Sequence, residues 1–427
     1  MARTNTAKLS TISLFSGTGG LDLGLEAAGF DIRVALELDA DCVATLRHNR
    51  NWPVINRSIH EVPSTELLKV AGLHEGAVDL LVGGPPCQPF SKSGYWASGD
   101  TKRLDDPRAS TLEAFLRILR DLKPRAYLLE NVAGLAYSGK DEGLRFLTET
   151  IRSINKECGT KYGTEILLLN AVDFGVPQIR ERTFLIGSRE GVRFGKLKPT
   201  HHPNPIGNHP HQLRISPVVE MYRTAWDAIG DLSEDGAEVP SLSGKWADLL
   251  PSIPEGSNYL FHTEKGGGLP LFGWRRRFWN FLLKLAKDLP SWTITASPGP
   301  ATGPFHWNNR RLTVRELCRL QTIPDDYSIL GTYRSALRQI GNAVPSALAE
   351  VIGLQIRLRL LADLSAASLK PSLIPPKSCS TPPPEPVAPV PSKFLHYVGK
   401  HAPHPGTGKG NRSRRQQQQP DLDIALE

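Results

Sequence analysis

Ile12-Ser13-Leu14-Phe15-Ser16-Gly17-Thr18-Gly19-Gly20-Leu21-Asp22-Leu23 (residues 12–23) changes its periodicity halfway along. Ile12 to Phe15 is a short apolar run of strand type, the glycines allow a tight turn, and Leu21 to Ala28 reads as a helix stopped by Gly29. A strand that runs through a glycine turn into a helix presents backbone N–H groups to a ligand, so the unit is of nucleotide-binding type. The alternation continues. Strands are predicted at Ile32 to Leu36, Val78 to Val82, Ala126 to Leu129 and Ile166 to Leu169, with helices between them such as Thr111 to Leu122, which Lys123-Pro124 closes. The expected fold class is α/β: a doubly wound, mostly parallel sheet with helices on both faces, whose first part occupies residues 1–188.

Residues 189–290 have a different texture, dense in Pro, His and Gly, and are read as a smaller, irregular second domain. Its run from His201 to His211 lacks both cysteines and helical i, i+4 histidine spacing, so a polar loop is expected there and no metal. Regular pattern returns over 291–365, with helices at Thr313 to Gln321 and Ser346 to Leu361. Residues 366–427, rich in Pro and carrying the Gln416 to Gln419 run, are expected to be a disordered tail.

The 427 residues carry a formal charge of +8, and from Pro371 onward there are seven Lys or Arg against four Asp or Glu. A polyanionic partner is permitted by that balance, not required. Five scattered cysteines without a C-x-x-C pair speak against a disulfide framework and against a zinc site. No stretch approaches the roughly 20 apolar residues of a membrane span, and the N-terminus lacks a secretory apolar block. A cytoplasmic protein, acting as a monomer and away from membranes, is expected.

The glycine loop is not a dinucleotide fingerprint. G-x-G-x-x-G counted from Gly17 would need glycine where Asp22 stands, and a carboxylate there would repel a pyrophosphate. Glu37 ends the second strand, where an acid can accept from both hydroxyls of a ribose. Taken together, Gly17, Gly19 and Glu37 suit S-adenosylmethionine, which carries an adenosine and a sulfonium but no phosphate.

Gly83-Gly84-Pro85-Pro86-Cys87-Gln88-Pro89-Phe90-Ser91 follows the next strand, placing Cys87 at the carboxyl end of the sheet on a loop stiffened by three prolines. A thiol held on a rigid turn beside a cofactor pocket is a candidate nucleophile. Glu130 ends the strand after it and would emerge on the same rim, as a proton donor or simply as a capping or salt-bridged acid. Gln178-Ile179-Arg180-Glu181-Arg182 leads into an apolar run; at strand period two, Gln178, Arg180 and Arg182 share one face, which either favours a thiolate and holds an oxygen or is merely a solvated charged strand.

In order, FSGTGG, GGPPCQPFS, ENV, QIRER, RLTVRELCRLQTIP and QIGNAVP resemble the motifs of the DNA cytosine-5 methyltransferase family, over Ile12 to Leu361. The resemblance implies an S-adenosylmethionine-dependent methyltransferase fold, duplex DNA as partner, and Cys87 adding to carbon 6 of a flipped-out cytosine. It also implies Glu130 at N3 and the exocyclic amine, Arg182 at O2, and Arg180 and Gln178 ordering the site. Phe15, Gly17, Gly19, Glu37 and Pro86 match cofactor contacts, with Leu112 beside the adenine and Asn342 and Val344 closing the pocket. The helix from Ser346 would fold back beside the first helix, and 189–290 would be the target-recognition domain, with Gly273 to Trp279 either gripping DNA or forming a helix core. The chain departs from the family at Ser58, where an aspartate usually accepts from the adenine amine, and at Ser13, where the first motif often begins with Asp. A cognate restriction endonuclease would be a functional partner; the same chemistry on transfer RNA, a DNA-binding relative without catalysis and a Rossmann oxidoreductase are the rival readings, the last weakened by Asp22.

Overall fold

The computed structural model describes residues 8–85, 110–132, 142–203, 219–233, 239–274 and 279–399. The expectations placed on Pro86 and Cys87, on residues 204–218, on Arg275 to Phe278 and on the chain beyond Gly399 lie outside the described residues.

Seven strands build around β1 (Leu9–Leu14), with β2 (Phe30–Leu36), β3 (Val54–Ile55), β4 (Leu80–Gly83), β5 (Ala126–Val132), β6 (Glu165–Asn170) and β7 (Glu181–Ser188) in the order β3-β2-β1-β4-β5-β7-β6. β1 to β5 pair parallel, whereas β7 lies antiparallel between β5 and β6. The expected doubly wound, mostly parallel sheet is the one observed. β7 escapes the parallel rule because only a short loop with one 3-10 turn, Ala171–Phe174, joins it to β6, too short for the crossover that a parallel neighbour needs.

Alternate residues of each strand feed two cores, one per face, so the central strands are apolar on both sides. Leu80, Val82, Ala126 and Leu128 face α1 (Gly20–Ala27) and the returning helix Ser346–Arg359. Ile12, Leu14, Leu81 and Leu129 face the opposite way, onto the helices Ser64–Ala71, Ser110–Leu122 and Glu142–Cys158. In chain order these three are α3, α4 and α5, with α2 (Ala40–Asn49) before them.

The later elements are a small pair of strands, β8 (His201–His202) and β9 (Glu220–Met221), followed by α6 (Ala225–Ile229), α7 (Val314–Leu320), α8 (Tyr333–Asn342) and α9 (Ser346–Arg359). The expected fold-back of the last helix is present. At Gly24 the backbones of α1 and α9 come so close that a Cβ would stand 2.2 Å from the Ser346 carbonyl oxygen, so only glycine fits. α7 begins at a capping box in which Thr313 and Glu316 satisfy each other's backbone N–H groups, as the sequence Thr313-Val314-Arg315-Glu316 allows.

The part between β7 and α7 has little regular structure and holds itself with an aromatic cluster of Trp246, Tyr259, Phe272, Phe281 and Phe305, joined by Phe394. Phe394 corrects one expectation. Residues 366–399 do not hang free: they run back across the molecule, and Phe394 stacks on Trp246 with ring centroids 5.4 Å apart. Between two short 3-10 helices, Leu364–Ser368 and Ser392–Tyr397, their prolines keep the backbone extended, and an extended strap needs no further regular structure to reach a partner.

Candidate active site

The register of the sheet sets the site. Leu36, Leu14, Gly83 and Leu129 are aligned partners across β2, β1, β4 and β5, so the residues that follow them, Glu37, Phe15, Gly84 and Glu130, emerge on one rim. Strand order reverses between β1 and β4, and the crevice at the carboxyl ends beside such a reversal is where open α/β sheets bind ligands. Gly84 and Pro85, the described residues that follow β4, leave the sheet at that crevice.

On the β1 side, Phe15 takes a left-handed backbone (φ 56), a costly conformation for a residue with a Cβ, and Gly19 caps α1 at φ 83. The loop is pinned from two directions. The N–H of Gly17 donates to Glu37 Oε2 at 2.6 Å, and the Tyr327 hydroxyl donates to the Thr18 carbonyl at 3.0 Å. Glu37 Oε1 also accepts from the N–H groups of Leu38 and Asp39. Burial pushes its carboxyl above the usual range, and those backbone donors draw it partly back.

The space beside Gly17 is open, since nothing among the described residues lies within 4 Å of where its Cβ would be. A carboxyl-rimmed, glycine-walled opening fits an adenosine with a cationic sulfonium and does not fit a pyrophosphate. Leu38, 66% exposed beside Glu37, offers an apolar face on the same rim. Sequence reasoning passed over it because one exposed leucine is ordinary. It also passed over Asn56, whose amide donates to the carbonyls of Glu37 and Leu38 and so fixes both, while among the described residues the Ser58 hydroxyl oxygen accepts only from the N–H of His60, at 3.4 Å. Leu112 lies buried in the first turn of α4.

On the β5 side, Glu130 Oε1 meets Arg182 Nε at 2.8 Å, the arginine coming from the start of antiparallel β7. Burial pushes the Glu130 carboxyl upward, and the guanidinium groups of Arg182 and Arg180 oppose it. Gly84 rests against this pair: a Cβ on it would stand 3.1 Å from Glu130 Oε2. The chain thus enters the Pro86-Cys87 segment directly beside a carboxyl and a guanidinium.

Gln178 and Arg180 differ from expectation. β7 begins at Glu181, and the backbone before it bridges to Ser291 instead of continuing the ladder. Both side chains are buried and turned into the returning part of the chain, so the three residues do not form one charged strand face. Arg180 donates to the carbonyls of Ile294, Gly341 and Ala343. Gln178 donates to the Leu320 carbonyl and to Gln321, and accepts from the N–H of Ile294. Gln321 in turn donates to the Ile340 carbonyl. These amides and the guanidinium therefore hold Asn342 and Val344 against the sheet, with Val344 packed on Gly20 and Asn342 exposed. Gln321 and Tyr327 escaped notice because their roles depend on partners far away in sequence.

Known proteins match this architecture. The family model described as C-5 cytosine-specific DNA methylase covers residues 9–357. The Type II methyltransferase M.SacI of Streptomyces achromogenes is 38% identical over 368 residues, covering 81% of this chain and 92% of the relative. M.XorII of Xanthomonas oryzae is 33% identical over 389 residues, covering 81% and 84%. Among solved structures, a prophage-encoded DNA modification methyltransferase of E. coli superposes with a TM-score of 0.56 at 24% identity, covering 83% of this chain and 99% of that one. DNMT2 of Spodoptera frugiperda superposes with a TM-score of 0.53 at 17% identity, over 83% and 99%, a likeness of fold alone. With a family model matching residues 9–357 and relatives above 30% identity that cover four fifths of the chain, the chain belongs to the C-5 cytosine-specific DNA methylase family.

Proposed function

We propose that Cys87, Glu130 and Arg182 together perform the cytosine chemistry, and that Glu37 and the loop from Phe15 to Gly19 hold S-adenosylmethionine beside them. The chain is a DNA cytosine-5-methyltransferase, as its family is; the assignment of roles to residues is the proposal. The observation that carries it is the Glu130–Arg182 pair at 2.8 Å with Gly84 against it, three residues before Cys87 in the sequence.

A cytosine must leave the duplex to expose its ring face. The thiolate of Cys87 bonds to carbon 6, favoured by the nearby guanidinium. Glu130, kept partly protonated by burial, donates to N3 as electrons move into the ring, and Arg182 holds the O2 carbonyl. When bound, S-adenosylmethionine supplies an electrophilic methyl group to carbon 5. N3 returns its proton to Glu130, water takes the carbon 5 proton, and the electron pair of that C–H bond forms the carbon 5–carbon 6 double bond as the C–S bond breaks and Cys87 leaves as thiolate, which restores the ring. Arg180 and Gln178 act as positioning residues, and Pro86, Leu112, Asn342 and Val344 complete the pocket. Residues 189–290 read the target sequence, and the chain works as a monomer. By analogy with relatives named Type II methyltransferases, it protects DNA from an endonuclease of the same specificity.

The test is a duplex with 5-fluorocytosine at the target, where fluorine blocks the elimination. A denaturation-stable protein–DNA adduct that forms with S-adenosylmethionine and disappears in Cys87→Ala is expected. No adduct on any target, with methylation of normal DNA intact, overturns the mechanism. Bisulfite sequencing of DNA from cells expressing the chain identifies the target itself.

A further inference from the structure

Asp22 sits in the first turn of α1, directly after the glycine loop, and is fully buried. Neither of its carboxyl oxygens has a hydrogen-bond partner among the described residues. The nearby hydroxyls of Ser13, at the end of β1, and Ser16, in the loop, are bonded to each other at 2.9 Å. Gly19 caps the helix without a side chain, so Asp22 does no capping work either. One hydroxyl proton of that serine pair is left to face the carboxyl without forming a well-directed bond, and a buried carboxyl with no cation beside it is a net cost to folding.

The charges around Asp22 explain what it lacks. Glu26 on its own helix is paired with Arg50 at 2.8 Å. Glu37, beyond β2, is held by backbone N–H groups and repels it. Tyr327 donates its proton to Thr18. On α9, Glu350 is taken up by Ser372 and Leu373. The one cation among these, Arg50, is already engaged with Glu26 and lies over the Tyr327 ring. Burial pushes Asp22 up to about 7, with Ser13 and Ser16 drawing it down and Glu37 and Glu26 raising it further.

We propose that Asp22 is a positioning residue that serves as the counter-charge for a cationic ligand above the glycine loop, and so makes the site prefer the sulfonium donor to its neutral thioether product. The inference rests on the cofactor reading given above. With the sulfonium in place Asp22 gives up its proton and the carboxylate attracts the ligand; once the methyl group has gone, the site holds a ligand one positive charge poorer and Asp22 takes a proton back. A carboxyl opposite Ser13 also accounts for the departure of this chain at position 13, since the acid stands on the helix turn facing that strand end.

Isothermal titration calorimetry of S-adenosylmethionine and S-adenosylhomocysteine on the full chain tests it, at about pH 6 and about pH 8 and in two buffers of different ionisation enthalpy, which counts protons. The sulfonium ligand should release a fraction of a proton near pH 7 and the thioether less, with the preference for the sulfonium rising about tenfold per pKa unit by which it lowers Asp22. Asp22→Asn should cut that preference about three- to tenfold, flatten its pH dependence and abolish the difference in proton release. A folded Asp22→Asn that keeps the ratio, the pH dependence and the proton count overturns the proposal. If that variant does not fold, Ser13→Asp combined with Asp22→Ser decides: a retained pH-dependent preference supports it, and a folded double variant without one overturns it. Failure of the unaltered chain to bind either ligand would instead remove the cofactor reading on which the inference stands.

Discussion

Glu130 is held between two opposing influences. Burial favours its neutral form, while Arg182 and Arg180 favour the carboxylate, and the balance leaves its affinity for a proton raised. Glu130→Gln keeps the shape but cannot release a proton to N3, so kcat should fall about a hundredfold or more, with S-adenosylmethionine affinity unchanged. Under the proposed role, in which the acid form donates to N3, kcat of the unaltered enzyme should decline as pH rises through the raised Glu130 pKa; that limb should be missing in the variant's pH profile. Asp22 makes a second prediction at this scale, on stability. Burial raises its folded pKa to about 7 from the ordinary aspartate value of 3.8, so the folded chain binds the extra proton and stability falls as pH rises from about 4 to about 7. Asp22→Asn removes that penalty: thermal melts should show a gain over the unaltered chain that grows from about pH 5 to about pH 8 and is absent near pH 4. A variant that melts lower at pH 8 would contradict the account of Asp22 as a buried acid without a counter-charge.

Between elements, Arg180 is the joint. It leaves the chain just before β7 and reaches three carbonyls, one before α7 and two at the α8–α9 connection. Arg180→Met fills similar volume but orphans all three buried acceptors, so a loss of about 3 kcal/mol in a urea titration is expected, together with weaker cofactor binding because Asn342 and Val344 are no longer held. Normal stability and affinity in that variant would show that α9 packing alone positions the connection. Arg180 also marks where the sequence stops being legible. The strands, α1 and the two rim loops could be read because glycine, proline and apolar alternation are local signals, and parallel strands must end level for Glu37, Gly84 and Glu130 to share a rim. Gln178, Arg180 and Arg182 fit a period of two equally well, yet only Arg182 lies in the strand. What breaks the pattern is a bridge to Ser291, and nothing near Gln178 announces a partner so distant in the chain. Asp22 was legible only as an argument against a pyrophosphate; that it lacks a partner appears only when Ser13, Ser16 and α1 are packed together.

Across the whole molecule, the strap of residues 366–399 ties the catalytic sheet to the irregular region, and it lies beyond the span of the family model, which ends at residue 357. It starts on α9, where buried Glu350 accepts from the backbone of Ser372 and Leu373. Next it crosses α6, where Lys377 Nζ and the N–H of Ser378 reach the buried carboxyl of Asp227. Glu385 then shares Lys287 with Glu255, and Phe394 closes over Trp246. Burial raises the Asp227 carboxyl, but Lys377 and the N–H groups of Thr224 and Ser378 outweigh it, so its pKa is lowered. That contribution is present at neutral pH and is lost as pH falls through the lowered value. Ending the chain at Ser365 therefore exposes Trp246 and leaves Asp227 and Glu350 buried without these donors, at a cost of roughly 3–6 kcal/mol. The cost is uneven, because these anchors lie on α9, α6 and the aromatic cluster and not, among the described residues, on the glycine loop or the Glu130–Arg182 pair. Limited proteolysis of the shortened chain should cut first between β9 and α7, S-adenosylmethionine affinity should stay within about twofold, and KM for DNA should rise about tenfold or more. If cofactor and DNA binding weaken together, the strap supports the fold at large; if only DNA binding weakens, it is a brace that holds the recognition region over a site the rest of the chain can build without it.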